Sequence, residues 1–203
     1  IAGKLVENIP GQLASLIEPH RRFFEVAAYC HDLKDAGGGP GQRWLGDPME
    51  VAIVELAAQA LPRLSNSPRE NEIPFDAQRK RLSTVHTSPE GHHLLYCKGA
   101  PEVVLSLCTH ATMDGGSVPF SDELTATFRS AAERMAEKGL RVLAFAWREL
   151  PESFELANAE AQMTFAGFIG LEDPPRPEVY GALKECREAG IKVIMIPGAH
   201  PHT

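Results

Sequence analysis

The chain has 203 residues, of which 43% are hydrophobic and 23% are charged, and this composition is typical of a globular protein that buries a full core. Its net charge of −7 argues against a nucleic-acid binder, which would present a basic surface to the phosphates. The four cysteines form no CxxC pair, so we expect reduced thiols in a cytosolic setting. No apolar run reaches the length of a membrane span, and no segment resembles a signal peptide.

Two helices are predicted in the first third of the chain. Phe23–Cys30 is an apolar segment with helical character. Farther on, Asp47 suits a helix N-cap, Pro48 suits the first helical position, and Glu50 completes a capping box. We therefore predict a second helix from this start to Pro62, with the Glu50 carboxylate satisfying the helix start.

A β-hairpin is predicted next. Arg63–Glu72 is polar and reads as a surface connection, and a strand is expected at Arg79–His86. The turn residues of Ser88–Gly91 then lead into a return strand, His92–Lys98. These two strands are expected to pair in an antiparallel sheet.

Two places in this hairpin suit the binding of an anion or a base. Phe75 precedes a cluster of cations that includes Lys80, an arrangement that suits stacking on a base and steering a phosphate. Lys98 ends the return strand, Gly99 gives that strand a sharp exit, and Pro101 suits the first turn of a helix. The alternative without a ligand is that Phe75 is a half-buried side chain on a basic edge strand and that Lys98 is an ordinary solvated lysine.

The last part of the chain completes an α+β pattern. Ser121 is expected to cap an amphipathic helix that Gly139 ends, and Arg141–Trp147 and Phe165–Asp173 read as strands. A further helix and a strand at Lys192–Ile196 resemble a βαβ unit cut short. We predict that the strands at 79–86, 92–98 and 141–147 share one antiparallel sheet flanked by helices.

Several stretches, in the same order along the chain, resemble motifs of P-type cation-transporting ATPases. Lys98–Glu102 reads KGAPE, which resembles the motif of that name in the nucleotide-binding domain of the family. Gly46–Glu50 resembles the Gly-Asp/Glu-x-x-Glu helix start, and Pro74–Ser83 resembles the Pro-Phe…Arg-Lys-x-Met-Ser segment. Gly139–Arg141 is similar to the Gly-Leu/Met-Arg stretch, and Asp173–Arg176 is similar to the Asp-Pro-Pro-Arg hinge. The KGAPE and DPPR motifs indicate the branch that moves Ca²⁺, Na⁺, Mg²⁺ or H⁺.

The resemblance implies a role for individual residues. The phenylalanine of the family stacks on adenine, the glutamate reaches the adenine amino group, and the arginine faces the nucleotide. Carried over to this chain, the family's roles predict a set of nucleotide-binding residues: Glu50, Phe75, Lys80, Lys98, Gly99 and Arg141. They also place Asp173 and Arg176 at the hinge, on the phosphate side. Ala77 stands where several relatives carry an arginine, so either a phosphate contact is missing or Arg79 supplies it.

The parts that would react with a nucleotide are not present in this sequence. The Asp-Lys-Thr-Gly-Thr stretch that holds the phosphorylated aspartate of the family is absent, so no catalytic residue is predicted. Pro197 and Ala199 replace a threonine and an aspartate in the loop that resembles Thr-Gly-Asp-His/Lys-Pro. No metal site is predicted, because the histidine pairs, His92 with His93 and His200 with His202, lack cysteine or carboxylate company at ligand spacing.

The resemblance therefore implies a fragment with two parts. Residues 1–172 would be the nucleotide-binding domain, and residues 173–203 would be the hinge and a partial phosphorylation domain of the haloacid-dehalogenase type, whose remaining parts lie outside this chain. We expect a cytoplasmic domain of an integral membrane ion pump, monomeric when isolated, that binds ATP or ADP but does not hydrolyse ATP alone. Its partners would be ATP with Mg²⁺ and the remaining phosphorylation, actuator and membrane domains, not nucleic acid.

Two other functions are weighed against this one. A phosphatase of the haloacid-dehalogenase type is suggested by the βαβ tail, but it lacks the nucleophilic aspartate, and Ala199 argues against it. A non-catalytic regulatory or interaction module that has lost nucleotide binding is supported by Ala77, Pro197 and Ala199. Nucleotide titration separates this module from the nucleotide-binding domain.

Overall fold

Helices and strands are interspersed along the chain in a mixed α+β fold. The computed structural model describes residues 14–37, 44–62, 67–113, 115–172 and 177–194. The helices are α1 Ala14–Ile17, α2 Arg21–Tyr29, α3 Pro48–Ala60, α4 Pro101–Leu107, α5 Asp122–Glu137 and α6 Pro177–Glu188, with a short 3₁₀ turn at Leu156–Asn158. The strands are β1 Lys34–Asp35, β2 Trp44–Leu45, β3 Arg69–Asp76, β4 Arg81–Thr87, β5 His93–Gly99, β6 Cys108–Met113, β7 Gly116–Pro119, β8 Arg141–Leu150 and β9 Met163–Leu171. Among the described residues, no helix combines the length and the apolar character needed to cross a membrane.

A seven-stranded sheet in the order β3-β4-β5-β8-β9-β6-β7 is the centre of the fold. The three strands predicted to share a sheet, β4, β5 and β8, are adjacent and antiparallel, which confirms that prediction. The sheet is not wholly antiparallel, because β6 runs parallel to β9. The prediction of a wholly antiparallel sheet is wrong at this pair, because β6 and β9 lie far apart in sequence and no local pattern specifies their relative direction.

Three strands of this sheet were not predicted. Residues 69–72, interpreted as a surface connection, belong to β3, and β6 and β7 lie in a stretch for which no strand was predicted. β3 and β7 are edge strands in which no residue is fully buried, so the alternation that reveals a half-buried strand is weak. Arg79 and Lys80, predicted to open β4, lie instead in the turn before it, named here the 77–80 turn.

Helices cover both faces of the sheet because strand residues alternate in direction. On one face Leu82, Leu94 and Tyr96 pack with buried residues of α2 and α3. On the other face Leu95 and Cys97 pack with buried residues of α4 and α5. Since side chains two positions apart share a face, Lys98 lies on the face covered by α2 and α3.

The predicted helix starts are confirmed. The Asp47 side chain accepts a hydrogen bond from the Met49 amide at 2.8 Å, and Pro48 occupies the first turn of α3. Ser121 Oγ accepts from the Leu124 amide at 3.1 Å and caps α5. The side chains at these two caps satisfy amide groups that have no partner inside the helix.

The C-terminal segment differs from its prediction. Of the predicted strand Lys192–Ile196, the described residues 192–194 are not in a strand, because a parallel strand forms only beside a neighbour and none of the described strands pairs with them. α6 is present, but Tyr180 is 69% exposed and Leu183 is 43% exposed. The incomplete βαβ unit is therefore not seen. Asp173, Arg176, Pro197 and Ala199 lie outside the described residues.

Candidate functional site

Five of the predicted site residues lie at one end of the seven-stranded sheet. Lys98 and Gly99 end β5, and Arg141 begins β8, the antiparallel neighbour of β5. Phe75 lies near the end of β3 and Lys80 lies in the 77–80 turn that joins β3 to β4, and β4 is the other neighbour of β5. Because an antiparallel strand begins where its neighbour ends, the five residues belong to the same rim of the sheet.

The sixth residue, Glu50, contacts this rim from α3. Its Oε1 forms a short ion pair with the Lys98 ammonium, and its Oε2 accepts from the Asp32 amide at 3.2 Å. The side chains of Lys98 and Glu50 are only 7% and 18% exposed. Burial raises the pKa of Glu50, and the Lys98 charge and hydrogen bond oppose that rise without cancelling it. The predicted capping box is not what Glu50 forms, because its two oxygens are directed to Lys98 and Asp32.

Gly99 lets the 77–80 turn approach β5 closely. A Cβ at this position would lie 2.5 Å from the Lys80 carbonyl oxygen and 2.6 Å from the Arg81 Cβ. The Ala100 amide donates to the same Lys80 carbonyl at 3.0 Å. The glycine is therefore required by the packing of the turn that carries Lys80, which is a different reason from contact with a ligand.

Replacing Gly99 by Ala is expected to lower the free energy of unfolding by about 1–3 kcal/mol, because backbone atoms of the turn must move away. Gly181→Ala is the matched control, since nothing lies within 4 Å of the Cβ that it would add and it sits inside α6, where alanine is favoured. Urea unfolding of the two variants measures the difference. Equal stability of the two variants would contradict the packing role of Gly99.

The other three predicted side chains face solvent. Phe75 is 63% exposed. Lys80 forms an ion pair with Glu102 at 3.2 Å, but both side chains are more than half exposed, so the pair adds little stability. The Arg141 guanidinium lies 3.9 Å from the Met49 sulfur, beside the residue that precedes Glu50 in α3. An accessible ring and accessible cations thus share the rim of the sheet with the buried ion pair.

The Arg79 side chain bonds to other groups of the protein, although the sequence left open that it supplies the phosphate contact missing at Ala77. Its guanidinium donates to both carboxylate oxygens of Glu160, at 2.6 and 2.8 Å, and to the Pro74 carbonyl at 3.1 Å. The structure therefore does not support Arg79 as the replacement for the arginine missing at Ala77. Glu160 itself was not predicted, and no local signal marks it, because its partners lie about eighty positions earlier in the sequence.

A short segment after α2 supports the Glu50 carboxylate. Arg69 on β3 donates to the carbonyl of His31 and, at 3.4 Å, to that of Tyr29. This holds the chain so that the Asp32 amide reaches Glu50. His31 is buried, and burial, with smaller effects from the charges of Arg69 and Lys98, lowers its pKa to about 4. No motif or pattern in the sequence marks this segment as part of the site.

A separate cavity of about 420 Å³ lies toward the opposite end of the sheet. It is lined by residues of α2 and of the β4–β5 turn, including Arg22, Glu25, Ser88 and His92, and by none of the predicted site residues. Within the part of the chain that the structure describes, no group of three or more His, Cys, Asp or Glu side chains could hold a metal ion. The rim of the sheet remains the candidate site.

Comparison with known protein families identifies the chain. Residues 20–178 match the family model described as P-type ATPase, cytoplasmic domain N. The chain belongs to the P-type ATPases. The matched range contains every element from α2 to β9, and the mixed α+β fold described above fits a P-type ATPase N domain. The resemblance read from the sequence motifs is confirmed.

Individual relatives are ion-transporting members of the family. The chain is 34% identical over 203 residues to a calcium-transporting ATPase of Listeria monocytogenes, covering 97% of this chain and 23% of that protein. It is 36% identical over 164 residues to a calcium-transporting ATPase of Bacillus subtilis, with 78% and 18% covered. It is 35% identical over 173 residues to sodium/potassium-transporting ATPase subunit alpha-4 of Rattus norvegicus, with 78% and 17% covered. The N-domain chain thus spans less than a quarter of each of these relatives.

Proposed function

We propose that this N domain binds ATP at the rim of the sheet where Phe75, Lys80, Lys98, Gly99 and Arg141 lie. The observation that carries the proposal is that the exposed Phe75 ring shares one rim of the sheet with solvent-facing cations and the buried Glu50–Lys98 pair. Phe75 stacks on adenine, and Glu50 accepts a hydrogen bond from the adenine amino group. Lys98 lines the pocket, and Lys80 and Arg141 face the ribose and phosphates.

The charges of the rim suit this assignment. A carboxylate accepts a hydrogen bond from an amino group, and Lys98 favours the ionised form of Glu50 although burial disfavours it. Lys80 and Arg141 are exposed and can follow the flexible phosphate chain. A chain with a net charge of −7 needs such a local group of cations to hold an anion.

We propose further that the complete protein is a cation pump, with this domain in the cytoplasm and other domains in the membrane. The named relatives transport calcium or sodium and potassium ions, which supports this class of activity. ATP bound here, with its Mg²⁺, would donate its γ-phosphate to an aspartate of the phosphorylation domain outside this chain. Residues 1–172 would form the N domain and residues 173–203 the hinge, with Asp173 and Arg176, and part of the phosphorylation domain. The exposed apolar side chains of α6 fit packing against the rest of that domain.

Titration of the isolated chain with ATP and ADP, followed by chemical shifts, tests the proposal. We expect affinities on the order of millimolar, because no second domain contributes phosphate contacts. ADP should bind nearly as well as ATP for the same reason. Shifts that avoid Glu50, Phe75, Lys98 and Arg141 would refute the site.

Phe75→Ala is expected to weaken ATP and ADP binding about tenfold, because stacking on one base is worth about 1–3 kcal/mol. Tyr180→Ala is the matched control, since that aromatic ring is equally exposed, at 69% against 63% for Phe75, but lies on α6. Calorimetric titration of both variants measures the effect. Equal affinity of the Phe75→Ala variant and the control would remove Phe75 from the site.

A regulatory module without nucleotide binding is the second candidate. It is favoured by Ala77 together with the engagement of Arg79 by Glu160, which leaves the rim with fewer free cations than the family motif implies. The same titration decides between the two functions. No shift at several millimolar ATP would support the regulatory module.

A further inference from the structure

Glu160, in the loop between β8 and β9, gathers donors from the 77–80 turn and from β4. Its side chain is only 9% exposed. Arg79 Nη2 and Ser83 Oγ donate to Oε1 at 2.6 and 2.7 Å, and Arg81 donates to Oε2 through Nε and Nη2 at 2.9 and 2.7 Å. One carboxylate thus ties the side chain of Arg79 in the turn to those of Arg81 and Ser83 in the strand that follows.

The charges make this arrangement rigid. Burial alone would raise the pKa of Glu160, but hydrogen bonds from Arg81 and Ser83 and the charges of Arg81 and Arg79 lower it overall. The carboxylate is therefore ionised at neutral pH and bound to two guanidinium groups. Arg81 directs two nitrogens at one oxygen of Glu160, and Arg79 directs one nitrogen at both oxygens, so each guanidinium is held by two charge-assisted hydrogen bonds.

Arg79 extends the network to the residue that precedes Phe75. While one guanidinium nitrogen contacts Glu160, the other donates to the Pro74 carbonyl at 3.1 Å. The Asp76 carboxylate accepts from the Arg79 amide at 2.9 Å, which closes the turn from the other side. Phe75 lies between Pro74 and Asp76, so hydrogen bonds from Arg79 hold the residues on both sides of it.

Lys80, at the other end of the turn, has a backbone conformation that needs support. Its φ is 50°, a left-handed value that residues with a side chain adopt rarely and at a cost. The residues on either side, Arg79 and Arg81, are both anchored by Glu160. The Lys80 carbonyl is fixed in turn by the Ala100 amide.

We propose that Glu160 is a positioning residue of the nucleotide site, holding the 77–80 turn so that Phe75 and Lys80 face the same ligand. This inference rests on the proposed function. Glu160 contacts neither Phe75 nor Lys80 directly and acts through Arg79 and Arg81. Arg79 is accordingly a strut between Glu160 and Pro74, not a phosphate ligand.

Glu160→Gln tests the proposal in the intact chain, with Glu155→Gln as the control because Glu155 is an exposed carboxylate of the same loop whose partner is the nearby Asn158. We expect Glu160→Gln to weaken ATP binding about five- to tenfold. This loss of affinity should not exceed the loss caused by Phe75→Ala, which removes the stacking ring. The control should bind like the unmodified chain. Heteronuclear relaxation of residues 77–80, measured without nucleotide, should show greater backbone motion in the Glu160→Gln variant only.

A double-mutant cycle separates positioning from a general loss of stability. If Glu160 acts through the Phe75 ring, Glu160→Gln should weaken binding much less in a Phe75→Ala background. Full additivity, or unchanged ATP affinity of Glu160→Gln, overturns the inference while the proposed function stands. If the unmodified chain itself does not bind ATP, the proposed function fails first.

Arg79→Met provides a second route if Glu160→Gln does not fold. It removes the strut to Pro74 and leaves the Arg81–Glu160 and Ser83–Glu160 contacts in place, and the Arg79 side chain is already 29% exposed. It should weaken ATP binding by a similar factor and make the 77–80 turn more mobile. Retention of full ATP affinity by this variant also overturns the inference.

Discussion

Replacing Lys98 by Met is expected to lower the free energy of unfolding by about 3 kcal/mol at pH 7. The substitution leaves Glu50 in a largely buried position without its cation, while the Asp32 amide still donates to it. Breaking a buried ion pair costs about 3–5 kcal/mol, and the 18% exposure of Glu50 places this pair at the lower end. Urea unfolding monitored by circular dichroism measures the loss.

The Glu50→Gln/Lys98→Met double variant is the control for this prediction. It removes both charges, so it should recover much of the stability that Lys98→Met loses. The single variant should also recover stability as the pH falls toward 5, because burial already raises the pKa of Glu50 and loss of Lys98 raises it further. A double variant less stable than Lys98→Met would show that the pair contributes through packing and not through charge.

Between pH 7 and pH 4, His31 alone is expected to remove about 3 kcal/mol from the free energy of unfolding. The pKa of His31 is lowered to about 4 in the folded chain, whereas an unfolded histidine has a pKa of about 6.5. The unfolded state therefore binds the proton first as the pH falls. The contribution of His31 to the free energy of unfolding is complete above pH 6.5. It declines as the pH falls from 6.5 to 4, and below pH 4 His31 causes no further loss.

His31→Gln isolates this contribution from that of the carboxylates. The variant removes the titrating group, so its stability should depend much less on pH between 6.5 and 4. Thermal unfolding of both proteins across this range gives the difference curve. Parallel pH profiles for the two proteins would mean that the His31 side chain is already protonated or exposed in the folded state.

Local chemistry made part of this fold predictable. The caps of α3 and α5 follow from Asp47 and Ser121, whose side chains bind amides two or three residues away. The β4–β5 hairpin follows from alternation and a turn sequence. The parallel pairing of β6 with β9 depends on contacts between segments about fifty positions apart, and no nearby residue encodes it.

The candidate site shows the same division. The motif resemblance predicted that Phe75, Lys98 and Arg141 bind a nucleotide, and the strand register places all three at one rim of the sheet. The partner of Lys98 could not be derived from spacing, because Glu50 lies 48 positions earlier and reaches it through the packing of α3 on the sheet. Glu160 was missed for the same reason, since a carboxylate in an irregular loop has no periodicity to reveal its direction.

The position of β9 has a consequence for synthesis on the ribosome. β9 lies between β8 and β6 and, among the strands that the structure describes, is the last of the sheet to be made. Until Met163–Leu171 leaves the exit tunnel, β8 and β6 each have an edge without a partner, and the sheet exists as two separate pieces. Open strand edges invite pairing with other chains, so the nascent domain is exposed to aggregation until its final strand is inserted.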